Sequence, residues 1–275
     1  MGSGIIFLLI VVGIGGFAFA KYLRDKYLAL RVKELYERKH TAYDAILQQY
    51  LPYYRNLNAA QKDRFLKRAL IFRETKQFEF VEMQEEEHMA LLISATAVQL
   101  TFGLQHFLME HFQKIYVMKR QYHFGLFNVP FQGHVNEDGI YLSWNNFLKS
   151  FENYTDGDNV GLHEMAHALA YVNFPEHEHD GEDEGFQYRW FRSFTTIGRE
   201  VFNRMQAGEM TMLGSYAATN YQEFWAVCVE NFFERPQAFK IQLPELYEAI
   251  CKLLNQDMLK PGIFLEAVID DYSRY

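Results

Sequence analysis

The segment His163-Glu164-Met165-Ala166-His167 constrains this chain more than any other, because it lies in an apolar run from Val160 to Val172 that no proline or glycine interrupts beyond Leu162. At about 3.6 residues per turn, positions four apart share one face of a helix, so His163 and His167 present two imidazole nitrogens to one point. Two convergent imidazoles begin a metal site. Glu164 sits one step round the helix, too far round to be a natural ligand and close enough to take a proton from an activated water, which points to hydrolysis. Asp158 or Asn159 is placed to cap the helix start. The competing reading is a core helix whose histidines are satisfied by hydrogen bonds.

A chain of 275 residues with 49% hydrophobic and 17% aromatic content is long enough to bury a large core. The net charge of -8, without a cluster of Lys and Arg, argues against nucleic acid as a partner. Cys228 and Cys251 fall inside predicted helices, provide no disulfide framework and read as core thiols of a reducing compartment.

Met1 to Ala20 carries no charged side chain, and as a helix it would be roughly 30 Å long, which predicts a transmembrane anchor. Lys21, Arg24, Lys26, Arg31 and Lys33 follow the stretch and nothing basic precedes it, so the positive-inside rule puts the remainder in the cytoplasm. A signal peptide ending at Ala18-Phe19-Ala20 is the alternative, but its basic leader is missing. Lys21 to about Lys39 alternates charged and apolar residues as a helical stalk would. The expected organisation is an anchor and stalk over residues 1–40 and a metallopeptidase domain over 41–275, in a single-pass membrane protein whose catalytic domain is cytoplasmic.

Local signals order the rest. Asn58 and Gln61 form a capping box for a helix running to about Glu74, Phe78 to Val81 alternates as a short strand, and Glu85 to Leu104 reads as a buried helix. Lys114 to Met118 and Gln121 to Phe127 have strand character, and Asn136-Glu137-Asp138-Gly139 marks the turn of a hairpin within Phe131 to Ser143. A strand beside a metal cleft can pair with an extended peptide; an ordinary structural hairpin is the other reading. Ser143 is placed to cap a short helix through Phe151, and Phe186 to Met205 is amphipathic. Between them and after the metal helix, the acidic loop Pro175 to Glu184 holds His177 and His179, which are either solvated or additional ligands.

Two histidines leave a catalytic metal site short of a third protein ligand. A metzincin would place glycine and histidine where this chain has Ala170 and Asn173, so that class is excluded. Asn220 is placed to cap a long apolar helix whose first turn holds Glu223, and the residues alone leave Glu223 either a ligand or a capping-box glutamate. Glu230, about two turns on and on a similar face, competes for the same role or supports a ligand from behind.

The metal helix, Tyr216-Ala217-Ala218, Glu223-Phe224-Trp225-Ala226 and Glu230-Asn231-Phe232-Phe233-Glu234-Arg235-Pro236 together resemble the Mlc titration factor A (MtfA) family of zinc peptidases, over roughly residues 45 to 255. The site is also similar to that of the anthrax lethal factor catalytic domain. The resemblance implies that His163, His167 and Glu223 hold Zn2+, that Glu164 is the catalytic base, and that Tyr216 donates to the developing oxyanion. It further implies a peptide or protein substrate and a transcriptional regulator as partner. The fold expected is α+β and zincin-like, mostly helical with a small sheet, preceded by the transmembrane helix. A regulator-binding module that keeps zinc only for structure is the alternative function.

Overall fold

The computed structural model describes residues 2–123, 130–173, 186, 188–260 and 263–265. In chain order the elements are α1 (Gly2–Tyr50), α2 (Pro52–Arg55), α3 (Ala59–Thr75), β1 (Gln77–Val81), α4 (Glu87–Thr101), β2 (Lys114–Met118), β3 (Gly133–Asn136), β4 (Gly139–Ser143), α5 (Trp144–Lys149), α6 (Val160–Asn173), α7 (Tyr188–Gln206), a 3-10 turn (Ser215–Ala218), α8 (Tyr221–Glu234), α9 (Pro236–Gln242) and α10 (Pro244–Leu254). The chain is thus mostly helical with a small sheet, as expected.

The core forms around α4, whose residues from Met89 to Thr101 are all buried, as an element apolar on every face must be. It packs between α3 and α6. The last carbonyls of such a helix have no partner of their own. Here the fully buried Arg68 of α3 donates to the carbonyls of Thr101 and Phe102, and its guanidinium lies 4.4 Å from the Phe107 ring centre. A cation at the negative end of the helix dipole is a favourable placement. α3 itself begins with the predicted capping box, Asn58 accepting from Gln61 N and the Gln61 side chain accepting from Asn58 N.

The sheet has the order β1-β2-β4-β3, parallel from β1 to β4, with β3 antiparallel to β4 at the edge. β4 is buried along its whole length, whereas β3 is half-buried. Tyr116, Tyr141 and His134 stack across β2, β4 and β3 at 4.4 and 4.2 Å between ring centres. Such cross-strand pairs hold a short edge strand in register. α6 lies against β3 and β4 on one side and α8 on the other. The buried indole of Trp225 in α8 donates to the Ala166 carbonyl in the middle of α6 at 2.8 Å, tying the two helices together.

The N-terminal expectation is corrected. The apolar stretch belongs to α1, which runs unbroken to Tyr50, and among the described residues no helix is long and apolar enough to cross a membrane. The transmembrane helix, and the single-pass membrane localisation drawn from it, are therefore not supported. Freedom from charge is not the same as apolar length. Gly2, Ser3 and Gly4 add little apolar surface, and Ile5 to Ala20, diluted by Gly13, Gly15 and Gly16, would reach only about 24 Å as a helix against a hydrocarbon core of roughly 30 Å. Further along α1, Val32, Tyr43 and Leu47 are buried in the core against α3 and α4.

Candidate metal centre

The hairpin strand β3, helices α6 and α8, and the 3-10 turn converge on a cleft of about 220 Å³ lined by His163, Glu164, His167, Tyr216, Gln222 and Glu223, with Gly133, His134 and Val135 of β3 along one side. Local sequence explains each placement. Asn159 caps α6, its side-chain oxygen accepting from Leu162 N at 2.9 Å, so the apolar run starts its helix where His163 and His167 both turn into the cleft. Asn220 caps α8 by accepting from Gln222 N and Glu223 N, each at 2.9 Å, which fixes the turn that carries Glu223.

The three candidate ligands meet. His163 Nε2 lies 3.0 Å from His167 Nε2 and 3.1 Å from Glu223 Oε2, and His167 Nε2 lies 3.5 Å from the same oxygen. One ligand atom from each lies within 4.8 Å of the others. Glu230, the competitor, does not join this point. Its Oε1 lies 3.1 Å from Nδ1 of His163, on the far side of the ring, and accepts from Asn159 N at 3.3 Å. An Nδ1–H donated to that carboxylate leaves the Nε2 lone pair facing Glu223 and His167.

Two imidazole nitrogens and a carboxylate oxygen at these separations are spaced to share a cation. Glu223 Oε2 is buried with no hydrogen-bond partner despite its closeness to both rings. Bonds of about 2.0–2.1 Å to a tetrahedral ion would set ligand atoms about 3.3 Å apart, the range observed here, so the residues fit a divalent metal. The electrostatics agree. Burial alone would lower His163, but the Glu223 and Glu230 carboxylates at its two nitrogens hold its pKa well above the usual range. Burial would raise Glu223, but the two imidazoles hold its carboxyl well below the usual range. Among the described residues no Lys or Arg lines the cleft.

Glu164 is 5% exposed and its Oε2 is buried without a partner. Burial chiefly, with the Glu223 and Glu230 charges, pushes its carboxyl up to about 8 against the opposing effect of His163. Tyr216 is 57% exposed, its ring 6.2 Å from that of His163. Burial of its hydroxyl and the charge and hydrogen bonding of Glu223 raise its pKa, so it stays a donor. His177 and His179 lie outside the described residues, as does the rest of the acidic loop.

Other contributors went unrecognised in the sequence. Glu234 accepts from Asn159 Nδ2 at 2.9 Å and from Gly157 N at 3.0 Å, clamping the segment before α6 onto α8. Gly157 has φ of 78°, and a Cβ there would stand 2.8 Å from Asn231 Oδ1, so glycine is needed twice over. Glu223, Glu230 and Glu234, spaced seven and four apart, recur on one helical face, and that spacing was the available signal. Tyr122 OH meets His134 Nδ1 at 2.9 Å, and burial pushes His134 down to about 4, leaving a neutral imidazole beside the cleft.

Residues 29–254 match the family described as glucose-regulated metallo-peptidase M90. The chain belongs to this family. Among similar proteins, an uncharacterized protein of Synechocystis sp. is 27% identical over 250 residues, covering 82% of this chain and 88% of the relative. Mlc titration factor A of Escherichia coli is 28% identical over 126 residues, and that of Yersinia pestis 29% over 129 residues. Those two matches cover 44% of this chain and 46% and 45% of the relatives, so the chain spans about half the length of the proteins bearing that name. Membership of a metallopeptidase family implies a metal ion and a peptide or protein substrate.

Proposed function

We propose that the protein is a zinc-dependent peptidase in which His163, His167 and Glu223 hold the ion and Glu164 is the general base. The observation that carries this reading is the convergence of those three ligand atoms with an unpartnered, buried carboxylate next to them on the same helix. When bound, zinc supplies Lewis acidity, lowering the pKa of a water to near neutral and polarising a carbonyl.

The chain's own groups do the rest. Glu164 takes the proton of the attacking water and returns it to the leaving amine. A carboxyl raised to about 8 is suited to both acts, and it ionises more readily beside a divalent cation. The Tyr216 hydroxyl donates to the oxygen that gains charge. β3 has β4 on one side and, among the described residues, no strand on the other, so its outer edge offers backbone groups to an extended substrate. Glu230 holds His163 in the tautomer that presents Nε2.

Glu164→Gln should keep zinc bound while removing most peptidase activity against an unbiased peptide library, and undiminished turnover in that variant would discard the mechanism. The name titration factor borne by the Escherichia coli and Yersinia pestis relatives favours a second role, capture of a transcriptional regulator. Capture that survives Glu164→Gln in a pull-down would separate that role from catalysis, and loss of capture with normal folding would count against it.

A further inference from the structure

Glycine inside a strand needs a reason, because it weakens the strand and often marks a place where another group approaches closely. Gly133 opens β3, and its φ lies outside the left-handed region occupied by Gly139, Gly157, Gly208 and Gly214. The backbone there would accept any residue. The reason is space: a Cβ at Gly133 would stand 2.5 Å from Cγ and Oε1 of Glu164 and 2.6 Å from its Cδ. Carbon contacts in close-packed interiors stay near 3.5–4.0 Å, so one of the two must yield.

α6 is poorly placed to yield. Its middle is tied to Trp225 through the Ala166 carbonyl, and its start is held by Asn159, itself bound to Glu230 and Glu234. β3 is held to β4 by its ladder from Gly133↔Leu142 to Asn136↔Gly139, and just before it Ser143 N donates to the Gln132 carbonyl at 2.7 Å. What can move is the Glu164 side chain. We propose that Gly133 is the positioning residue for Glu164: its missing side chain lets the edge strand lie flush against the carboxylate and keeps that carboxylate facing the His163–His167–Glu223 cluster. The inference rests on Glu164 acting as general base.

The test is Gly133→Ala in the full chain, with zinc affinity of the apoprotein, steady-state kinetics and thermal stability all measured. Zinc affinity should stay close to that of the wild type, since the atoms nearest a Cβ at Gly133 belong to Glu164 and not to a candidate ligand. kcat should fall about a hundredfold, the scale expected for a reacting group misplaced by about 1 Å, with KM little changed. In the Glu164→Gln background, where no base remains to misplace, Gly133→Ala should cost nothing further. An equal kinetic loss in both backgrounds, or none in the wild type, would overturn the inference.

A second cycle does not depend on activity. Gly133→Ala should lower the melting temperature of the wild type and lower it less in the Glu164→Ala background, where the clashing atoms are gone. Equal losses there would also overturn the inference. If Glu164→Gln leaves turnover intact while this stability cycle still shows coupling, the contact stands and it is the general-base reading that fails.

Discussion

Nδ1 of His163 lies 3.1 Å from Glu230 Oε1, an oxygen already fixed by the backbone N–H of Asn159 at 3.3 Å. One carboxylate on α8 therefore meets both the backbone at the start of α6 and the far ring nitrogen of its first histidine. Removing the acceptor frees the ring to turn and to place its proton on either nitrogen. Glu230→Ala should weaken zinc binding by about 10–100-fold, and Glu230→Gln by less because its amide oxygen still accepts. Competition against a chelator of known affinity measures this. Equal affinities in Glu230→Ala and the wild type would rule the role out.

Asn220 holds the first turn of α8 by accepting from Gln222 N and Glu223 N. Asn220→Ala should cost about 1 kcal/mol of stability in denaturant unfolding and loosen the turn that presents Glu223. Asn220→Asp, which keeps the acceptor, should restore most of it. If the alanine variant unfolds at the wild-type denaturant concentration, the cap carries no weight.

The ease with which these features could be read from sequence follows the range of the interaction. His163, Glu164 and His167 share a helix, and Asn58 with Gln61 or Asn220 with Glu223 are neighbours in the chain, so periodicity and capping rules reach them. Glu223 was legible as a candidate ligand only through family resemblance, because nothing local says which distant helix will face α6. Gly133 was silent, since its reason is a contact between β3 and α6. Ser143 misled in a smaller way: its hydroxyl donates to Asn146 Oδ1 at 2.7 Å instead of capping α5. Of the predicted strand Gln121 to Phe127, the described part contributes only an isolated bridge, Tyr122 with Phe131, and residues 124–129 lie outside the described ones. At the N-terminus an absence of charge does not amount to sufficient apolar length.

Lys76 gives a pH dependence whose sign can be worked out. Burial pushes its ammonium down to about 8 from 10.5, while Nζ donates to the Met109 carbonyl at 2.9 Å. Between those two values the unfolded chain holds the proton and the folded chain has lost it, so wild-type stability gains from this group as pH rises from about 8 to 10.5. A shift of that size sets an upper bound of about 3 kcal/mol. The buried thiols of Cys228 and Cys251, raised chiefly by burial, pull the other way in the same window. The effect is therefore read as a difference: relative to Lys76→Met, the wild type should gain stability across the window. A difference that does not change with pH would show that Lys76 does not titrate there.

Glu223 carries the most exposed assignment, because it was separated from Glu230 by a geometry of a few ångströms. Its Oε2 lies at 3.1 and 3.5 Å from the two imidazole Nε2 atoms, whereas Glu230 meets His163 only at Nδ1. A metal held by α6 and α8 together binds the folded state alone and raises its stability by about 2.7 kcal/mol at a hundred times the dissociation constant. Zinc added to the apoprotein should therefore raise the melting temperature. Glu223→Ala should abolish that rise, because one ligand of three is lost, while Glu230→Ala should shift the zinc concentration at which it appears. A zinc-dependent rise that persists in Glu223→Ala and disappears in Glu230→Ala would exchange the two roles.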